Sequence, residues 1–153
     1  MKYTNYTNFW LHDLELTSRI THEIAKKFFE GNNFPINLDE YIILDTLLNN
    51  SELLQMKLAN MILKGRAHTG RFLMALEDKG FVERIPSKNG QRLVMISKVT
   101  NKGKKIHETI TKHIQQFAQD CSESLSDEMI EDLQKILKQI RVSLKEKFEV
   151  KFD

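Results

Sequence analysis

The stretch RAHTGRFLMALEDKGF, residues 66–81, holds the side chains best suited to act on a partner. Arg66 and Arg71 bracket the small or polar residues Ala67, His68, Thr69 and Gly70. A guanidinium is a rigid fork of donors that stays charged and can engage two acceptors at once. With no bulky neighbour in the way, such forks can reach guanine edges or phosphates, and the small residues between them fit close against a groove floor. Farther along, Phe72, Leu73 and Leu76 recur at helical spacing and Lys79-Gly80 supplies a stop. The stretch therefore reads as a helix that exposes its first turns and is anchored by its far end. The plainer alternative is a surface helix whose first turn is merely solvated.

Such a helix has to be held out by other elements. QMKLANMIL, within 53–63, predicts a short helix, and Lys64-Gly65 a tight connection into the next one. Together they make a helix-turn-helix, a motif that lays its second helix in the DNA major groove with N-terminal residues toward the base edges. The period then changes. FVERIP (81–86) and RLVMIS (92–97) predict strands, and SKNG (87–90) the turn, with Asn89-Gly90 suited to positive backbone angles. Lys88, Asn89 and Arg92 give this hairpin a polar, basic tip of the kind that lies along a DNA backbone or enters the minor groove. For Lys88 the alternative is a solvated charge that discourages edge pairing.

Around this centre lie long helices. Leu16, Ile20, Ile24 and Phe28 step by four through 8–30, and Gly31 closes the segment. GNNFPIN breaks the pattern at Pro35, and Asn37 or Asp39 can cap a second helix containing Ile42, Ile43, Leu47 and Leu48. Thr100 can cap a helix running towards Ala118, and Ser126, followed by Asp127 and Glu128, a last one carrying Met129, Leu133, Ile136, Ile140 and Leu144. The expected fold is mainly α with a small β-hairpin wing, a winged helix-turn-helix with long terminal helices. The expected division is 1–37 for an N-terminal dimerisation helix and linker, 38–100 for the DNA-binding domain, and 101–153 for C-terminal dimerisation helices. The apolar faces of the end helices need a packed partner. A second copy of the chain is expected, with packing onto the centre as the alternative.

Charge is distributed to match. Residues 1–50 hold 4 Lys/Arg and 7 Asp/Glu, residues 51–106 hold 12 and 4, and residues 107–153 hold 7 and 10. A middle of +8 between flanks of −3 each is the footprint of a module that meets a polyanion, in a chain whose net charge is only +2. The 153 residues suit one ordinary domain with arms, and 41% apolar content suits a packed core. No apolar run approaches the ~20 residues of a membrane span. With one cysteine, Cys121, there is no intrachain disulfide, and a cytosolic location is expected.

Residues 38–103 resemble the MarR family of bacterial winged-helix transcription regulators. The likeness is carried most specifically by LEDKGFVER (76–84) and VTNKG (99–103). It is supported by the Leu38-Asp39 helix start, Leu58-Ala59, Arg71 followed by Phe72-Leu73, Arg92 on the wing, and Leu125-Ser126-Asp127-Glu128 opening the last helix. The resemblance implies an obligate homodimer with intertwined first and last helices, located in the bacterial cytosol at the nucleoid. It also implies a palindromic operator, and repression relieved by a small ligand or an oxidant. The site residues expected from the helix-turn-helix and the hairpin are Arg66, Ala67, His68, Thr69 and Arg71 on the recognition helix and Lys88, Asn89 and Arg92 on the wing, and of these Arg71 and Arg92 also carry the resemblance. The family's wing commonly has Asp two residues before its Arg, where this chain has Gly90, and the spacing from Arg92 to Thr100 is one residue longer than usual.

Trp10, His12 and Tyr41, with Phe9, are candidates for an effector pocket, the kind in which related proteins bind aromatic acids; ordinary core is the alternative reading. Cys121 sits beside Asp120 and Glu123, the opposite of the electropositive setting of a reactive thiolate, and reads as a bystander rather than a redox sensor. His12, His22, His68, His107 and His113 lack i, i+4 metal-ligand spacing, so no metal or other cofactor is expected, a zinc site assembled across helices being the alternative. Gly-rich phosphate loops, paired metal motifs and nucleophile elbows are absent, so the sequence does not read as an enzyme. The rival to a DNA-binding regulator is a winged helix that binds protein.

Overall fold

The computed structural model describes residues 5–50, 53–89 and 91–149. Gly90 lies outside the described residues, as do the side chains of Asn89 and Arg92. After a 3-10 turn, Tyr6–Asn8, the order is α1 (Trp10–Gly31), α2 (Leu38–Asn49), β1 (Leu53–Leu54), α3 (Gln55–Ile62), α4 (Arg66–Asp78), β2 (Val82–Asn89), β3 (Arg92–Val99), α5 (Asn101–Cys121) and α6 (Asp127–Phe148). The fold is mainly helical with a three-stranded antiparallel sheet in the order β1-β3-β2, a winged helix-turn-helix.

Caps explain most helix starts. Asn37 and Glu40 form a reciprocal capping box: the Glu40 N–H donates to Asn37 Oδ1 and the Asn37 N–H to Glu40 Oε2, each at 2.9 Å. Thr100 Oγ1 accepts from the Gly103 N–H at 3.0 Å to start α5, and Ser126 Oγ accepts from the Met129 N–H at 3.3 Å to start α6. α3 ends at Leu63, whose left-handed backbone (φ 55°) makes the turn. Gly65, the expected turn residue, has ordinary extended angles (φ −61°, ψ 150°).

The sheet exceeds the sequence expectation. Pairing runs from Val82↔Val99 to Asn89↔Arg92, so the strands reach two to three residues beyond 81–86 and 92–97 and leave only Gly90 and Gln91 between them. Pro86 is tolerated because β2 is an edge strand, where a missing N–H can face outward. β1 is a two-residue strand that pairs Leu53 with Ser97 and Leu54 with Ile96.

By contact the chain forms two compact units that meet in sequence at Ile42/Ile43. In the first unit Phe29 and Ile36 are buried, and the Phe29 ring meets those of Phe34 and Tyr41 at 5.5 and 5.7 Å between centroids. The core of the second unit includes Ile43, Leu44, Leu58, Leu73, Leu76 and Ile110, all fully buried. Ile110 lies on α5, and His107 Nε2 on the same helix is 2.9 Å from Asp45 Oδ1 of α2, which ties α5 to the second unit.

Candidate nucleic-acid interface

The site is built on α4. Its buried side chains are Thr69, Leu73 and Leu76, and the opposite face exposes Ala67, Arg71 and Met74, the two stripes expected of a helix lying on a core. Arg66 and His68 are exposed at the helix start, and the His68 ring stacks on Phe72 with centroids 6.0 Å apart and planes 17° from parallel. The start of α4 has no side-chain cap, so its first N–H groups remain available to an anion.

Thr69 corrects the sequence reading. It is 0% exposed, and its hydroxyl donates to the Gly65 carbonyl at 3.1 Å, so it cannot meet a base edge. A polar residue belongs there because the preceding helical turn satisfies its hydroxyl. Gly70 is also explained by packing. A Cβ at Gly70 would lie 2.8 Å from Gln55 Nε2, the amide that donates to the Arg66 carbonyl at 3.0 Å. The start of α4 is thus held against α3, while Arg66, Ala67, His68 and Arg71 stay exposed. Thr69→Val is expected to cost about 1 kcal/mol of stability through the lost hydrogen bond. It should leave any DNA sequence preference unchanged, as urea unfolding and a binding comparison on one duplex would read.

The far end of α4 is clamped by the start of α5. Gly80, with φ +73°, closes the helix: its N–H donates to the Glu77 carbonyl at 2.8 Å and that of Phe81 to Leu76 at 2.9 Å. The Thr100 hydroxyl donates to the Gly80 carbonyl at 2.7 Å, and Lys102 Nζ to that of Lys79 at 2.7 Å while lying 4.9 Å from the Phe81 ring centroid. Gly103 lets the Phe81 carbonyl approach to where a Cβ would stand, 2.2 Å away. LEDKGFVER and VTNKG are therefore two halves of one joint that fixes α4 relative to the wing.

On the wing, Lys88 is exposed. Leu93, its cross-strand partner, is exposed as well, an apolar group that the sequence reading passed over. Between the wing and the start of α4 lies an open groove of about 470 Å³, lined among others by Gln55, Met56, Arg66, Arg84, Leu93 and Met95. Arg84 Nη1 is 3.8 Å from Glu77 Oε2. Apolar walls with two guanidinium groups suit an amphipathic anion.

The candidate effector residues are not assembled within their unit. Trp10 and His12 sit at the start of α1, where His12 meets Tyr6 at 5.3 Å and Trp10 meets Phe9 at 5.8 Å. Tyr41 packs on Phe29, which lies ~25 Å farther along the same helix at 1.5 Å rise per residue. The Tyr6 hydroxyl donates to Glu15 at 3.3 Å, and the Arg19 guanidinium, by hydrogen bond and charge, holds the Glu15 carboxyl below its ordinary range. This is a helix-start network rather than a pocket shared with Tyr41. Among the described residues no three His, Cys, Asp or Glu side chains cluster as metal ligands, and no helix is long and apolar enough to cross a membrane.

Comparison with known proteins places this geometry. Residues 36–94, from the α2 cap to the wing, match the MarR family. Over that segment the chain is similar to the MarR family. Over 139 residues it is 22% identical to the HTH-type transcriptional regulator YybA of Bacillus subtilis, with 91% of each chain covered. It also resembles a MarR protein from Peptoclostridium difficile, at 20% identity and TM-score 0.79, covering 99% of this chain and 97% of that one. A mutant MarR from E. coli complexed with operator DNA aligns at 19% identity and TM-score 0.74, over 90% of this chain and 99% of that one. At these identities the structural likeness establishes the winged-helix fold, which this chain builds around the joint at Gly80 and Gly103.

Proposed function

We propose that the chain is a transcription regulator that binds a palindromic DNA operator as a homodimer and acts as a repressor. The observation that carries this reading is the outward Ala67–Arg71 stripe of α4, held in the same compact unit as a basic wing. Arg71 reaches base edges in the major groove, Arg66 and the uncapped start of α4 meet phosphate, and Lys88 follows the adjacent backbone. The +8 balance of residues 51–106 supplies long-range attraction to the duplex.

The terminal helices support the dimer. α6 has no buried residue over its 22 positions, and Met129, Leu133 and Ile136 stay exposed, Ile136 at 52%. Leu16, Ile20 and Ile24 on α1 are exposed too. Two such apolar stripes on 22-residue helices need cover, and a second copy supplies it. Twofold symmetry then repeats α4 on the two half-sites of a palindrome. For relief by a small ligand, the groove beside Arg66 and Arg84 offers apolar walls and cations together, and an anion there would compete for the guanidinium of Arg66.

The test is equilibrium binding to duplex DNA at several salt concentrations, with native mass measured in parallel. A mass of two chains, with affinity falling roughly a hundred-fold or more between about 50 and 200 mM salt, is expected. A monomer, or binding that ignores salt, would instead favour a protein-interaction module.

A further inference from the structure

Met74 has no place in the reading above. It is 55% exposed on α4, three residues after Arg71 and seven after Ala67, and so shares their outward stripe. Its exposure is not the leftover of a poorly packed helix, because Leu73 and Leu76 on the inward side are fully sealed. A thioether presented to a groove gains free energy only against apolar surface. The bases display one substantial apolar group in the major groove, the 5-methyl of thymine. At ~1.5 Å per residue Met74 stands ~4.5 Å along the helix axis from Arg71, between one and two base-pair steps of ~3.4 Å. Its unbranched, polarisable chain can adapt to the position of that methyl.

Resting on the DNA-binding reading, we propose that Met74 is a specificity-determining residue that selects thymine by its methyl group, at a base pair next to the one met by Arg71. The contact is apolar, so it adds sequence preference without adding salt dependence. It also divides the labour along one stripe, with Arg71 engaging acceptors and Met74 the methyl beside them.

The experiment is selection of binding sites from a random-sequence duplex pool with the full chain, repeated with Met74→Ala and with the polar isostere Met74→Gln. Both substitutions lie at an exposed site, and unchanged thermal unfolding confirms that the variants fold. The parent is expected to enrich a palindrome with thymine at a fixed place in each half-site. The variants should keep the other positions and lose that thymine. In the enriched duplex, deoxyuridine for that thymine removes only the methyl. It should weaken the parent about three- to ten-fold over two half-sites and Met74→Ala by less than about two-fold. Thymine preference retained by both variants, or uracil as good as thymine for the parent, overturns the assignment and leaves DNA binding standing. A parent that enriches no sequence overturns both.

Discussion

Arg71→Ala is expected to weaken binding to an enriched operator duplex by about 1–3 kcal/mol at fixed salt, while changing unfolding free energy by less than about 0.5 kcal/mol. The two halves of this expectation have separate causes. Arg71 is exposed on the face of α4 opposite Thr69, Leu73 and Leu76, so no internal packing is lost with it. A guanidinium in the groove makes two hydrogen bonds to one acceptor pair, and truncation removes both and leaves the acceptors facing water. A base-reading role also predicts relaxed preference at one position per half-site, whereas a phosphate role predicts uniform weakening and a shallower salt slope. Arg71→Lys separates fork from charge: it should recover a phosphate contact and fail to recover a bidentate one. Equal affinity of Arg71→Ala and the parent would remove Arg71 from the interface.

Gly103→Ala is expected to have the largest effect on stability, a loss of about 1–3 kcal/mol or somewhat more. The added methyl would stand 2.2 Å from the Phe81 carbonyl oxygen and 2.7 Å from Val99 Cγ1. Backbone cannot rotate away as a long side chain can, so α5 must shift from Phe81 and from the end of β3. That shift strains the Thr100 and Lys102 contacts that hold the end of α4. The midpoint of thermal unfolding should fall by roughly 3–10 °C in a chain of this size. DNA affinity should fall as well, because the same joint sets the angle between recognition helix and wing. Gly31→Ala is the control: a Cβ there meets nothing within 4 Å, and the change should be close to neutral. Equal losses from both substitutions would show that the cost is one of glycine conformation rather than of close approach at Gly103.

Much of the scaffold was legible in the residues because it is written locally. The four-step apolar rows of α1 and α6 and the capping residues Asn37, Thr100 and Ser126 each act within one or two turns of their own position. What escaped depends on contacts distant in sequence. β1 exists because Leu53 and Leu54 pair with Ser97 and Ile96, more than forty residues on. Trp10, His12 and Tyr41 fit a pocket by residue type, but the length of α1 separates them. The errors on α4 have a different origin. Polarity alone points Thr69 outward, and apolar character alone points Met74 inward. Both assignments follow side-chain character where helical phase decides: residues 69, 73 and 76 share one face, and 67, 71 and 74 the other. Projection of the stretch at 100° per residue corrects both without coordinates.

Paired copies presenting twin α4 stripes to one face of a duplex can be seen most directly by hydroxyl-radical footprinting of the full chain on an enriched operator. Two protected patches should appear on the same face of the helix, their centres separated by ~34 Å or a multiple of it. A single patch, or uniform cleavage at low salt with the protein in excess, would contradict the account.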